Sequence, residues 1–415
     1  MKAAFKWLGV LAVHVVLIAL IFILNINIGQ VPPLGKLLNP FTGFWQNAES
    51  IQDTPKPLEL TFQNALVKVS FDEMLIPTIE SDNYLALFYA QGYTTASHRL
   101  WQMELQTRAA SGRLSEIIGE RTVEYDQFMR RIGMVYGAEQ SLKGMMADDT
   151  TRQIVEAYTA GINAYIKTLN AASYPLEFKI LDHTPESWTH LKCALLLKYM
   201  AFDLSFYNED ATLQMLRSKV GSELVELLFP DYPYVEEPII SEEKWLFQPV
   251  EVHKQRMPSA VTETQSAGEE PAKGSNNWAL SGKKSSKGYP ILANDPHLNM
   301  TLPSIWYSCR MKSGHFRVTG ATLPGAPGVI IGFNQAVSWG VTNGYADVMD
   351  WFHIKWADST KSKYFSGNEV MHVEKRVEEI KIRGTGSLFD TVKYTLFGPI
   401  VADNPFTFKQ RKNVP

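Results

Sequence analysis

The apolar pattern is densest at the N-terminus. From Trp7 to Leu24 no residue carries a formal charge, and His14 interrupts a run dominated by Leu, Val, Ile and Ala. That length is near the lower limit for spanning a bilayer and exceeds most signal-peptide cores. No clear small-x-small cleavage site follows in Asn25-Ile26-Asn27-Ile28-Gly29-Gln30. The pattern therefore predicts an uncleaved signal-anchor over residues 1–30, with a cleaved signal peptide as the alternative and a buried core helix disfavoured by position. Lys2 and Lys6 precede the run, so the positive-inside rule keeps them cytoplasmic and exports the rest.

Residues 31–57 begin rich in Pro, Gly and Asn and read as a tether. From Leu58 to Pro77 apolar and polar residues alternate, with Leu60 and Phe62, then Val67, Val69 and Phe71, at strand spacing. From Asp82 to about Leu228 the period becomes helical: Tyr84, Leu87, Phe88 and Gln91, then Leu100, Met103 and Leu105, then Leu114, Ile117 and Ile118. Ser111-Gly112 interrupts that block and Gly119 ends it, and further helices are expected over Thr151–Leu169 and Trp188–Phe206. Residues 58–248 thus form a mostly helical region. The stretch 249–274 is different, because Ser259 to Gly274 holds one Val and no other large apolar residue. Such a segment buries too little to order itself and reads as a flexible spacer.

Beyond Gly274 the pattern is β. Short β-rich runs occur at Trp278–Leu280, Tyr289–Ala293, Ile305–Met311, His315–Thr319, Val337–Val341, Trp351–Trp356 and Thr391–Val401, divided by Gly- and Ser-containing turns. Helices in one half and strands in the other predict an α+β protein with its third section over 275–415.

Composition narrows the function classes. In 415 residues, 40 Lys+Arg against 43 Asp+Glu give a net charge of −3, with 45% hydrophobic and 20% charged residues. This balance excludes wholesale disorder, collagen and coiled coil, and without a basic block it gives no reason to expect nucleic acid as a partner. Cys193 and Cys309 are too few for a disulfide framework and lie in no CxxC setting, so they read best as two small buried apolar residues, paired or free. Ser281-Gly-Lys-Lys284 and Ser81-Asp82-Asn83 match two marks of penicillin-binding serine enzymes but in the wrong order, with no K-T-G following. Gly384-Thr-Gly386 lacks the third glycine of a dinucleotide fingerprint, and there is no G-x-S-x-G elbow.

One junction carries more chemistry. At Lys273-Gly274-Ser275-Asn276-Asn277-Trp278 the spacer runs directly into a strand. A cut between Gly274 and Ser275 would place a hydroxyl and a free α-amine on one residue. An α-amine has a pKa of about 7.7–8.0, so near neutrality part of it accepts a proton and nucleophile and base need no further partner. Glycine ahead of the bond admits the backbone strain of an N→O acyl shift without a Cβ clash. Taken alone, Gly-Ser at a linker end is common.

The runs Ser275-Asn-Asn-Trp278, Asn294-Asp-Pro-His-Leu298 and Trp339-Gly-Val-Thr-Asn343-Gly resemble the penicillin acylase family of N-terminal nucleophile hydrolases. So do Ala90-Gln-Gly-Tyr93, Arg99-Leu-Trp-Gln-Met-Glu104 and Ser111-Gly-Arg-Leu-Ser-Glu116. The match covers most of the chain after the anchor, in the family's order and with a spacer in the family's place. The resemblance implies a precursor that cuts itself at the spacer, an α/β heterodimer and an αββα sandwich, here incomplete.

Carried over, Ser275 corresponds to the nucleophile and first residue of the β chain. His297 corresponds to the position that helps hold its amine and hydroxyl, although without the resemblance it is a turn histidine. Asn343 corresponds to the residue whose backbone N–H faces the developing oxyanion. Asp347, the Met349 carbonyl, Asp350 and Glu209 correspond to ligands of a structural calcium, a hard cation suited to oxygen donors with no thiol or His cluster near. Without the resemblance these acids read as solvated turn residues. Phe202, Leu204 and Leu298 are candidates for the acyl pocket, with ordinary core packing as the alternative. No organic cofactor is expected.

The family's second oxyanion Asn and a nearby Arg lie further from the nucleophile than Pro415, so a truncated record is expected. The reading is an exported, membrane-anchored amidohydrolase acting on the linear amide of small N-acyl substrates such as penicillin-type side chains. The alternatives are an acyl-homoserine-lactone acylase and a non-catalytic membrane-tethered binding protein on the same scaffold.

Overall fold

The structure is a computed structural model that describes residues 2–27, 29, 31–49, 56–205, 209–229, 274–344 and 351–401. The apolar run forms one helix, α1 (Lys2–Leu24), of which Trp7–Leu24 is long and apolar enough to cross a membrane, with none of that stretch buried. Within the segment expected as a tether lie two short helices, α2 (Leu34–Leu37) and α3 (Trp45–Glu49). The chain divides into two units, residues 1–206 with 274–404, and residues 207–273 with 405–415. In the second unit the described elements are two helices, Glu209–Val220 and Ser222–Leu228.

Three strands follow the N-terminal helices: β1 (Leu58–Phe62), β2 (Ala65–Phe71) and β3 (Pro77–Ser81). Gln63 and Asn64 turn β1 into β2 with φ of 48° and 65°, the left-handed geometry a two-residue hairpin needs. The long α4 (Tyr84–Ser111) starts where the Asn83 side chain accepts from the Leu85 and Ala86 amides, and stops at Gly112 with φ 61°. Short α5 (Ser115–Ile118), then α6 (Val123–Arg131), α7 (Met134–Ala147), α8 (Asp149–Thr168), α9 (Leu176–Ile180) and α10 (His190–Ser205) complete the helical region of the first unit.

After residue 274 come β4 (Asn276–Leu280), β5 (Ile291–Asp295), β6 (Tyr307–Ser313), β7 (Phe316–Thr322), β8 (Ile331–Asn334) and β9 (Ser338–Trp339). They are followed by β10 (Lys363–Ser366), β11 (Glu369–His372), β12 (Glu374–Ile382), β13 (Gly386–Thr395) and β14 (Gly398–Pro399). The expected α+β class holds. One sheet has the order β1-β2-β3-β6-β7-β8-β9, and its single parallel pairing, β3 with β6, joins strands from either side of the spacer. In register, Thr78 faces Arg310, Ile79 faces Met311 and Glu80 faces Lys312.

The core lies between that sheet and helices α4 and α8. Val67, Val69, Ile79, Cys309 and Met311 from the strands pack with Leu87, Met103, Tyr158 and Ile162 from the helices. The two helices meet at glycines: a Cβ on Gly161 would stand 1.9 Å from the Tyr89 carbonyl oxygen, and one on Gly92 2.2 Å from that of Tyr158. The apposition therefore admits hydrogen only.

Two strand expectations need correction. Among residues 351–356 only Trp356 bridges, to Tyr364, and Phe352 instead stacks on Phe397 at 4.9 Å. An aromatic run satisfied by ring packing does not need a ladder. Thr391–Val401 is broken into β13 and β14 by a turn, whereas β12, rich in Glu and Lys, was not expected at all. Its inward Glu378 is paired with Arg130, which lets a charged residue face inward. The spacer 249–273 and the chain after 401 lie outside the described residues.

Beneath α4 three acids and three bases form a partly buried network. Arg108, 1% exposed, donates to Glu104 at 2.9 Å, Glu116 at 2.7 Å and Glu186 at 2.6 Å. Arg113 adds contacts to Glu116 and Glu186, and Lys192 to Glu104 and Glu186. Burial pushes the carboxyl of Glu104 up, but the His183 contact and the charges of Lys192 and Arg108 outweigh it and hold it below its ordinary value. Glu116 and Glu186 are likewise held low, burial being outweighed by the surrounding cations.

Three outcomes follow for the chain under denaturation. Gly161→Ala should destabilise by about 2–3 kcal/mol because the backbone must shift, whereas Gly144→Ala, on α7 with open space at Cβ, should stabilise by up to about 1 kcal/mol; urea midpoints compare them. Arg108→Met removes one cationic partner from each of three carboxylates, the buried Glu104 among them, and should cost up to about 3 kcal/mol at neutral pH. Because folded pKa values below the unfolded 4.5 give stability that is present above that value and lost as pH falls through the folded ones, the wild-type midpoint should drop below about pH 4.5. Arg108→Met should flatten that drop.

Candidate active site

Ser275 is half-buried and lies one residue before β4, at the end of an antiparallel β4–β5 hairpin. The Gly274 amide donates to the His297 carbonyl at 3.2 Å, so pairing continues past the hairpin and fixes the backbone on the N-terminal side of Ser275. His297 reaches the junction by its main chain. Its side chain is 56% exposed, with Nδ1 3.9 Å from Asp295 Oδ2.

Asn294 joins this hairpin to a second segment. Its Nδ2 donates to the Asn276 carbonyl at 3.0 Å and to the Val341 carbonyl at 3.0 Å, while its Oδ1 accepts from the Val341 amide at 3.0 Å. One carboxamide thus grips both polar groups of Val341 and the first residue of β4. Gly340 makes the approach possible, since a Cβ there would stand 2.7 Å from Asn277 Nδ2 and 2.8 Å from Asn294 Oδ1. The main chain of residues 340–343 is thereby drawn alongside the start of β4.

Two residues on, Asn343 turns its side chain away from that hairpin, and Nδ2 donates to the Leu204 carbonyl at 2.8 Å. The side chain thereby ties the segment to the end of α10. Leu204 and Phe202 share that helix end, and the Phe202 ring stacks near Tyr199 at 6.4 Å and lies 6.3 Å from Phe128. The structure thus brings Asn343 and Leu204 together. Leu298 is half-buried one residue after His297.

Asp347, Met349 and Asp350 lie outside the described residues, and of Glu209 only the helical backbone is described. The donors expected from the resemblance are all oxygen, a chemistry that would suit calcium and not zinc. Among the described residues Glu104, His183 and Glu186 could converge on a metal. Arg108 and Lys192 already stand among them, and Arg108 Nη2 lies 2.9 Å from His183 Nε2, so a cation would have to displace two cations. Cys193 and Cys309 are free and buried, and burial pushes their thiols up to about 11 and about 12, so neither is a nucleophile near neutrality.

Two positioning residues were not foreseen as such. Asn294 stands in a run singled out for other reasons. Gln91, 1% exposed on α4, holds Gly328 from both sides, donating to its carbonyl at 2.9 Å and accepting from its amide at 3.0 Å. An amide in mid-helix or at a strand end carries no spacing signal, because its partners lie at no local repeat: 237 residues away for Gln91, 18 and 47 for Asn294.

Comparison with known proteins gives the lineage. The family model described as penicillin amidase matches residues 66–414. An acyl-homoserine lactone acylase, QuiP, of Pseudomonas aeruginosa is 27% identical over 88% of this chain and 43% of its own length. A penicillin acylase 2 proenzyme of Pseudomonas sp. strain SE83 is 29% identical over 82% of this chain and 44% of its own length. Penicillin G acylase of Escherichia coli is 23% identical over 82% of this chain and 46% of its own length. The chain spans less than half the length of these relatives. A solved penicillin G acylase of Alcaligenes faecalis aligns over 45% of this chain with 23% identity and a TM-score of 0.37, too low to carry an argument. With the family model extending over most of the sequence, the chain belongs to the penicillin amidase family.

Proposed function

We propose that this chain is the precursor of an exported N-acyl amide hydrolase whose nucleophile is Ser275, released by cutting its own Gly274–Ser275 bond. The observation that supports this reading most is the clamp of Asn294, which sets the main chain of residues 340–343 beside the start of β4. Nucleophile and oxyanion donor must be fixed relative to one another before substrate arrives, and one carboxamide hydrogen-bonded to both main-chain segments is a means of doing so.

In the self-cleavage, Ser275 Oγ attacks the Gly274 carbonyl carbon, the Gly274–Ser275 C–N bond breaks, and an ester on Oγ is hydrolysed by water. The freed α-amine then serves as base. In turnover Oγ attacks the substrate amide carbon while the α-amine takes the Oγ proton, and the Asn343 N–H receives the developing negative oxygen. Collapse expels the amine, which takes that proton, and leaves an acyl group on Oγ. Water attacks the ester, releases the acid and restores the serine. Phe202, Leu204 and Leu298 would contact the acyl group. Calcium held by Asp347, Asp350 and the Met349 carbonyl would brace the segment after Asn343. We read α1 as a retained signal-anchor, which places the body on the exported side.

The relatives' names supply two substrate classes for assay, penicillin G and acyl-homoserine lactones. Intact mass and N-terminal sequencing of the protein from the complete gene should show a chain beginning Ser-Asn-Asn-Trp, and Ser275→Ala should leave one uncut chain. Uncut wild type, with acyl compounds bound but unchanged, would move the assignment to a binding protein. In processed enzyme kcat/KM should rise with pH through the α-amine pKa, about 7.7–8.0 unless shifted. The cut fragments should co-elute in size-exclusion chromatography without denaturant, since β3 pairs with β6 across the cut.

A further inference from the structure

The segment between α1 and β1 is folded, and it is folded against two things at once. On one side it meets the end of the apolar helix: a Cβ on Gly35 in α2 would stand 2.9 Å from the Leu24 carbonyl oxygen and 2.9 Å from Asn25 Oδ1. On the other side it is tied to the body near α9. Lys36 Nζ pairs with Asp182 at 2.9 Å, Lys179 Nζ donates to the Gly43 carbonyl at 2.9 Å, and Asn47 Nδ2 donates to the Tyr174 carbonyl at 2.9 Å. Internally the Gly43 amide donates to the Asn39 carbonyl at 2.7 Å and the Phe44 amide to that of Leu37 at 3.0 Å.

Beside exposed polar residues such as Lys36, this folded collar exposes large apolar and aromatic side chains. Phe41 is 79% exposed, Trp45 50%, Leu38 48% and Leu34 46%, and beside the collar on α9 Ile180 is 46% and Leu176 39% exposed. Exposed apolar residues scattered singly need no explanation, but a cluster attached to the end of a membrane-length helix does. Because α2 touches the last turn of α1, it shares that end's depth in any bilayer α1 crosses. Headgroup depth is where aromatic rings and amphipathic segments are stabilised.

We propose that residues 31–49 form a membrane-contact collar, with Phe41 and Trp45 in the headgroup–acyl boundary, so that the body is held against the lipid surface and not on a free tether. The partner is the bilayer itself. The proposal rests on reading α1 as a retained anchor, and its test separates the two.

Single cysteines introduced into the full chain report depth, because native Cys193 and Cys309 are buried and leave an introduced thiol as the accessible one. Leu17→Cys sits within α1, Phe41→Cys and Leu38→Cys sit in the collar, and Asp149→Cys is a water-exposed reference with its side chain 84% exposed. Asp149 also begins α8, whose 20 residues span about 30 Å away from the Thr168 end that leads to the collar's partners. Each variant is labelled with an environment-sensitive fluorophore and reconstituted into phosphatidylcholine vesicles. At Phe41 and Leu38 the expected result is a blue-shifted emission and a several-fold lower quenching by aqueous iodide than at Asp149. Lipid protection at Leu17 with collar labels as wet as Asp149 would overturn the collar and leave the anchor standing. A mature chain lacking α1, with collar labels wet, would overturn both; the same chain with collar labels protected would retain the collar without the anchor.

Discussion

Everything on either side of the spacer depends on one parallel strand pairing. β3 and β6 are separated by more than two hundred residues of helix and spacer, yet their pairing makes one continuous sheet of what would otherwise be two. A hairpin can hold itself by its turn, but a parallel pair has no local connection and needs cover on a face. Here α4 and α8 supply that cover, and the Gly92–Gly161 apposition lets them lie close enough to share a core with strands from both sides. Further ties repeat the pattern at the edges: Asp72 with Arg310, Glu80 with Lys312, Tyr158 Oη with the Gly325 amide, and Arg131 with Asp390. A cut at Gly274 would turn all of these into contacts between chains without changing any of them.

The charged network under α4 serves the same end by a different route. Arg108 is almost completely buried, and a lone buried cation would be costly; three carboxylates, themselves shared with Arg113 and Lys192, satisfy it. The carboxylates come from α4, α5 and the approach to α10, so the network fixes how those segments meet. Its geometry also passes for a metal cluster when only acids and histidine are counted. Including the cations removes that reading, because equal numbers of acids and bases leave no net charge for a divalent ion to neutralise.

What the sequence made legible follows from how local each signal is. The strand alternation around Val67, Val69 and Phe71, the helical period that begins near Asp82 and the break at Ser111-Gly112 all come from residues close to one another in the chain, whereas the cap at Asn83 and the turn at Gln63-Asn64 were supplied by the structure. Strand β12 was invisible because Glu378 and the alternating Lys and Glu look solvated until Arg130, from a distant helix, is placed against them. Residues 31–49 read as a tether because Pro, Gly and Asn dominate their start, and the groups they bond to at Tyr174, Lys179 and Asp182 lie far along the chain. In the candidate site, Ser275 was marked by its own chemistry at the spacer's end, and Asn343 by resemblance. Asn294, which ties Val341 to Asn276, acts on backbone groups, as Gln91 does on Gly328, and a side chain that binds a remote main chain leaves no pattern in sequence.

That last point bears on how such a site can be both reactive and stable. A serine with its own amine as base needs no neighbouring acid or imidazole, so the burden on the scaffold is geometric, not electrostatic. Asn294 answers it with a neutral carboxamide that uses both of its polar atoms on one residue, Val341, and its second N–H on Asn276. Aspartate in its place could accept from the Val341 amide but could donate to neither carbonyl, which would leave two acceptors facing a negative charge beside the proposed nucleophile. Only a carboxamide offers donor and acceptor together at that distance, and glutamine would push Val341 outward by a methylene. The close approach at Gly340 allows no such displacement towards Asn277. Amide at 294 and glycine at 340 are thus one requirement, set by the need to bring a strand end and a loop backbone within a single hydrogen bond of the same side chain.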